Sequence, residues 1–164
     1  SGGPGSYTGL RIGCSLAKGI CYALDIPLIA VPTLEALAAQ VRPIAGKNDL
    51  LCPMLDARRM EVYALILGMD GVMHQEVKPV ILEEGVFENY LTERRVWFFG
   101  NGSDKAGAVI TDSNAHFLSG IRTEARTVGE LAIGKYSREE FEDVAYYEPF
   151  YLKEFQATKP KKRL

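Results

Sequence analysis

Two stretches of the chain carry the residue types from which chemistry could be built. The first is Gly2-Gly3-Pro4-Gly5-Ser6-Tyr7-Thr8-Gly9-Leu10-Arg11-Ile12-Gly13, at its very start. Gly3 and Gly5 allow positive φ on either side of the φ-locked Pro4, and Ser6 and Thr8 carry oxygens able to cap the free N–H groups of a following helix. Such a turn aims backbone amides at the space above it, where amides and helix dipole together favour an anion in contact with Gly3, Gly5, Ser6 and Thr8. The same residues equally suit a plain tight entry into a helix. The Gly-Lys-Ser/Thr ending of a Walker loop is missing, and no G-x-G-x-x-G follows a strand.

The second stretch is Asp56-Ala57-Arg58-Arg59-Met60-Glu61-Val62-Tyr63, which joins two predicted strands. Arg58 and Arg59 present the forked donors that grip a carboxylate or phosphate. The structural alternative is an internal network, with Asp56 accepting backbone N–H groups and Glu61 pairing with an arginine. The sequence favours the structural version and leaves recognition open.

Little else points to a reaction. His74 and His116 are the only imidazoles and stand in no H-x-x-x-H or H-E-x-x-H pattern, so no metal site is expected. No nucleophile elbow surrounds a serine, and no catalytic residue is assigned. Cys14, Cys21 and Cys52 are odd in number and form no C-x-x-C pair, which argues against a disulfide framework and suits a reducing cytosol.

The elements that must position these residues follow from periodicity. Residues 8–24 form a predicted helix on which Arg11, Ser15, Lys18 and Tyr22 make one narrow polar stripe and nearly everything else is apolar or small. So broad an apolar arc needs covering on two sides. The parent sheet is expected on one, and a partner helix on the other, meeting Gly9, Leu10, Gly13, Cys14, Ala17 and Cys21. Residues 28–31 read as a short buried strand, and Thr33 as the cap of a helix over 34–44. Strands are expected at 50–55, 61–67, 72–81 and 96–99, with a hairpin turn at Met69-Asp70-Gly71. Helices are expected at 83–91, 104–109 and 127–136, the second entered through Gly100-Asn101-Gly102-Ser103. Strands interleaved with helices indicate an α/β protein.

The chain has 164 residues, 47% of them hydrophobic, enough for a substantial core. Its net charge of −2 gives no overall field to draw in nucleic acid, so any RNA contact must be local or shared with a partner. The basic end, Lys159-Pro160-Lys161-Lys162-Arg163, reads first as a solvated terminus and second as a phosphate contact. No apolar run reaches membrane length, and no membrane association is expected. The chain opens without methionine and inside a motif, as a fragment does.

The opening motif, Ala17-Lys18-Gly19, Val31-Pro32-Thr33-Leu34-Glu35-Ala36-Leu37-Ala38, Asp56-Ala57-Arg58 with Glu61-Val62-Tyr63, and Pro149-Phe150-Tyr151-Leu152-Lys153 together resemble the TsaB (YeaZ) family from the first residue to the last. The resemblance implies an actin-like (ASKHA, ribonuclease H-like) α/β fold, with residues 1–32 the remainder of an N-terminal lobe and 33–164 a second lobe and tail. Members carry a further β-hairpin and helix before the glycine turn, so the first lobe is expected to be incomplete here. The resemblance further implies a cytoplasmic, non-catalytic subunit in threonylcarbamoyladenosine synthesis on tRNA. Its partners would be the transferase TsaD and the ATPase TsaE, with a homodimer when TsaD is absent, tRNA reached through the complex, and ATP or ADP at the shared interface. Two rival readings are a stand-alone ASKHA-type phosphotransferase or ATPase, and a glycoprotease-like peptidase.

Overall fold

A computed structural model describes residues 1–152. Helix α1 (Tyr7–Leu24) and helix α2 (Thr33–Val41) lead into a five-stranded sheet. Its strands are β1 (Leu50–Asp56), β2 (Glu61–Gly68), β3 (Met73–Ile81), β4 (Val96–Phe99) and β5 (Ala115–Leu118). Helices α3 (Glu88–Leu91) and α4 (Ser103–Ala106) sit in the two crossovers, and α5 (Ala125–Ser137) follows the last strand. The order across the sheet is β3-β2-β1-β4-β5. β1, β2 and β3 form an antiparallel meander, whereas β4 runs parallel to β1 and β5 parallel to β4.

The period-2 alternation of side chains sorts the apolar residues of the central strands into two cores. Leu50, Cys52, Met54, Val62, Ala64, Ile66 and Phe98 fill one face beneath Phe87, Leu91 and Ala106. Leu51, Leu65, Leu67 and Phe99 fill the other against Leu34, Leu37 and Val41 of α2. Buried on both faces, β1 reads as an unbroken apolar run, as a central strand with parallel pairing should. Each such Leu or Phe contributes about 1.5–3 kcal/mol through its burial. The β2–β3 turn closes where expected, with Gly71 at φ +88° and the Asp70 carboxylate accepting from Val72 N–H.

The structure corrects several local expectations. Residues 28–31 do not enter the sheet. Leu28 and Val31 are buried, but the only bridge is Leu28 to Glu142, while Val31 carbonyl accepts from Gly2 N–H and Gly3 carbonyl from Thr33 N–H. Apolar burial without an available strand edge thus gives an extended segment, not a ladder. Thr33 is the first residue of α2, not its cap; Pro32 holds the cap position, and Thr33 Oγ1 shares a 2.6 Å hydrogen bond with Ser1 Oγ. The α-helix ends at Val41 and tightens into a 3₁₀ turn over Arg42–Ile44, where Pro43 supplies no N–H. Of residues 83–91 only Glu88–Leu91 is helical, because Gly85 turns the chain at φ +77°. The helix expected over 104–109 closes after one turn, at Ala106. Strand β5 was not expected at all. It is four half-buried residues with no alternation, recruited by the open edge of β4.

Candidate functional site

Helix α1 has no seat on the sheet comparable to that of α2. Ser6 caps it, its Oγ accepting from Gly9 N–H at 3.3 Å, and Asp25 ends it in the left-handed conformation. Its inner edge lies against segment 142–151, which turns at 144–146. Lys18 Nζ donates to the carbonyls of Ala145 (2.9 Å) and Tyr147 (3.1 Å), and the Tyr7 ring packs on Tyr151 at 4.9 Å. The outer edge is bare: Ile12, Leu16 and Leu24 are 65%, 64% and 65% exposed, and Ile20 is exposed with them.

The six residues expected to meet a partner helix divide between these edges. Gly9 and Gly13 lie on the exposed side, and a Cβ built at Gly13 or Gly19 would meet nothing within 4 Å among the described residues. Leu10, Cys14 and Ala17 are half-buried toward the inner edge, and Cys21 is buried, its thiol donating to Pro27 carbonyl. The sheet expected to cover one side of α1 is replaced by segment 142–151. Ile12, Leu16, Ile20 and Leu24, which repeat at i, i+4 within the same apolar arc, supply the large side chains of the exposed edge.

The glycine turn at the head of α1 is tightly engaged. Gly3 adopts φ +103°, and a side chain there would strike the carbonyl of Phe150. Gly5, expected to share that freedom, is not in the positive-φ region. Gly3 is buried, whereas Gly5, Ser6 and Thr8 are exposed and Ser6 spends its hydroxyl on the helix cap.

The second stretch, at the carboxyl ends of the parallel pair β1 and β4, is a clamped loop. Asp56 Oδ1 accepts from Arg58 N–H (2.8 Å) and from Lys105 Nζ (2.6 Å), and the same ammonium donates to the carbonyls of Arg59 (2.7 Å) and Glu61. Asn101 Oδ1 accepts from Asp56 N–H at 3.0 Å, and Gly102 N–H donates to Met54 carbonyl. Arg58 and Arg59 both sit at positive φ, +69° and +48°, a conformation costing a non-glycine residue of order 1 kcal/mol or more. The expected Asp56 role is seen. The cation that organises the loop is Lys105 of α4, 49 residues from Asp56 and invisible to local pattern.

The Lys105 hydrogen bond holds the Asp56 carboxyl below its ordinary pKa, with a smaller contribution from Arg58 N–H and partial burial opposing both. A carboxylate whose folded pKa is depressed stabilises the fold above its unfolded pKa, near 3.9, and loses that contribution as pH falls through the folded value. Asp56→Asn should therefore melt below the native protein at about pH 7, with the gap closing as pH falls below about 4; thermal melts across that range check it. A gap independent of pH would show that Lys105 gains nothing from the charge.

Among the described residues no group of three or more His, Cys, Asp or Glu side chains is placed to hold a metal ion, and no helix is long and apolar enough to cross a membrane. Burial pushes the Cys52 thiol well above its usual pKa, so it behaves as a small core residue. The basic end over 159–163 and Lys153 lie outside the described residues.

Comparison with known proteins places this architecture. Residues 1–161 match the family described as TsaD, tRNA N6-adenosine threonylcarbamoyltransferase. The tRNA threonylcarbamoyladenosine biosynthesis protein TsaB of Bacillus subtilis is 39% identical over 113 residues, 67% of this chain and 48% of that relative. Its Escherichia coli namesake is 37% identical over 89 residues, 50% of this chain and 38% of the relative. The chain thus spans about half the length, or less, of these curated relatives. In fold it is similar to YeaZ from Pseudomonas aeruginosa, with a TM-score of 0.73 at 23% identity over 93% of this chain and 71% of that one. A second Pseudomonas aeruginosa structure, of a protein described as similar to the peptidase YEAZ, gives a TM-score of 0.76 at 24% identity over 92% of this chain and 70% of that one. The meander β1-β2-β3 followed by parallel β4 and β5 is the actin-like, ribonuclease H-like α/β arrangement the resemblance implied. The chain belongs to the family that the threonylcarbamoyltransferase model describes, among its TsaB (YeaZ) members.

Proposed function

We propose that the protein to which this chain belongs is a cytoplasmic, non-catalytic subunit of the machinery that makes threonylcarbamoyladenosine on tRNA. It binds the transferase TsaD through the outer edge of α1 and helps recruit the ATPase TsaE, with ATP or ADP held at the shared interface. Without TsaD the same edge pairs two copies. The observation that carries this reading is the continuous exposed row Gly9, Ile12, Gly13, Leu16, Ile20 and Leu24. Large apolar side chains in an unbroken row on a soluble chain mark a surface meant to be covered, and the glycines between them let a second helix approach closely. The names of the curated relatives supply the pathway.

Reconstitution tests it. TsaD, TsaE, threonylcarbamoyl adenylate, ATP and substrate tRNA are combined with and without the full-length protein. Modification should require this protein and should be absent when it is supplied without TsaD. Turnover without TsaD would refute the accessory role, and undiminished turnover in its own absence would remove it from the pathway.

A further inference from the structure

The clamped loop between β1 and β2 has no task in the pairing described above. Its arginines are exposed, both lie in the left-handed region that favours glycine, and neither belongs to any of the four ion pairs among the described residues. Asp56, two residues before Arg58, is committed to Lys105 and to Arg58 N–H, so it orders the loop backbone. The Lys105 ammonium is likewise consumed by Asp56 and by the carbonyls of Arg59 and Glu61. Two adjacent guanidiniums are thus raised on a backbone fixed from below, at the carboxyl ends of parallel strands, where open α/β sheets place their ligands.

From this arrangement we infer that Arg58 and Arg59 form a preorganised contact for the phosphodiester backbone of RNA. The guanidinium fork matches a phosphate bidentately, and a loop already ordered loses little freedom on binding. A chain with a net charge of −2 has no general attraction for nucleic acid, so a contact must be local, as this pair is, or shared with a partner. The inference rests on the proposed role in tRNA modification and makes this loop the chain's own tRNA contact in the assembly.

The test uses the full-length protein assembled with TsaD and measures tRNA affinity across a series of salt concentrations for the native protein, Arg58→Gln/Arg59→Gln and Arg58→Lys/Arg59→Lys. Each phosphate contact contributes about 0.7–0.9 to the slope of log affinity against log salt. The glutamine pair should weaken binding roughly tenfold or more at low salt and flatten the slope by about 1.4–1.8, while the lysine pair keeps most of the slope. Thermal melts and co-elution with TsaD should be unchanged in both. Native affinity and slope in the glutamine pair would overturn the inference while leaving the proposed function standing. Loss of TsaD co-elution would overturn it in favour of a protein contact, and failure of the native assembly to bind tRNA would overturn both readings.

Discussion

Leu16→Glu in the full-length protein should abolish association with TsaD, and with a second copy of itself, without loosening the fold. Leu16 is 64% exposed in this chain, so a carboxylate there stays hydrated and costs the folding of residues 1–152 less than about 0.5 kcal/mol. In a covered apolar seam that carboxylate loses its water with no partner to replace it, a penalty of several kcal/mol that corresponds to at least about a hundredfold in affinity. Gly13→Leu acts on the same surface by shape. Nothing among the described residues lies within 4 Å of a Cβ at that position, so the bulk is felt by whatever docks there, at about 1–3 kcal/mol. Sedimentation of the mixed proteins, beside a melt of each variant, gives the answer. Unchanged association in both variants would show that the outer edge of α1 faces solvent in the assembly.

Gly100→Ala should be the most damaging single methyl group in the lobe, lowering stability by about 3 kcal/mol or more. Gly100 sits at φ +96° in the turn from β4 to α4, and a Cβ there would fall well inside 3.0 Å of Met54 carbonyl, with Leu37 behind it. The neighbour is backbone of the central strand, so it cannot move aside without breaking β1 from its register. Gly71→Ala is the matched control. Its φ of +88° carries comparable backbone strain but nothing lies within 4 Å, so about 1 kcal/mol is expected. Denaturant unfolding of the two variants separates strain from collision. Equal losses would mean that the β4–α4 turn yields more readily than its packing implies.

The contrast between those glycines also shows where sequence reasoning succeeds. β1, β2 and β4 were legible because buried apolar runs and the Asp70-Gly71 turn are local signals, and α1 was legible because its polar stripe has helical period. What failed depended on distant partners. Leu28 and Val31 look like strand residues, and only the positions of Gly2 and Glu142 reveal that their hydrogen bonds go elsewhere. β5 exists because β4 offers an edge, and its own four residues say nothing of it. At the candidate sites, Asp56 and its arginines stood out by type, whereas Lys105, a lone lysine in a short helix, gains meaning only once β1 and β4 are side by side. For α1, spacing identified an interface helix but could not divide it into inner and outer edges before segment 142–151 was in place.

That last dependence bears on how the polypeptide emerges from the ribosome. Lys18 finds its acceptors 127 and 129 residues downstream, at Ala145 and Tyr147, and Gly2 closes a hydrogen bond with Phe150. The five-stranded sheet can collapse while these late residues are still being synthesised, because all its strands lie between Leu50 and Leu118. The inner edge of helix α1 must wait for these partners through almost the whole of translation. During that interval the inner edge, with Leu10, Cys14 and Ala17, lacks its cover, and a chain that stops short near residue 140 never gains it. Quality control of this protein is therefore a matter of its last dozen described residues, and a premature stop there should send an otherwise well-formed lobe to chaperones and proteases.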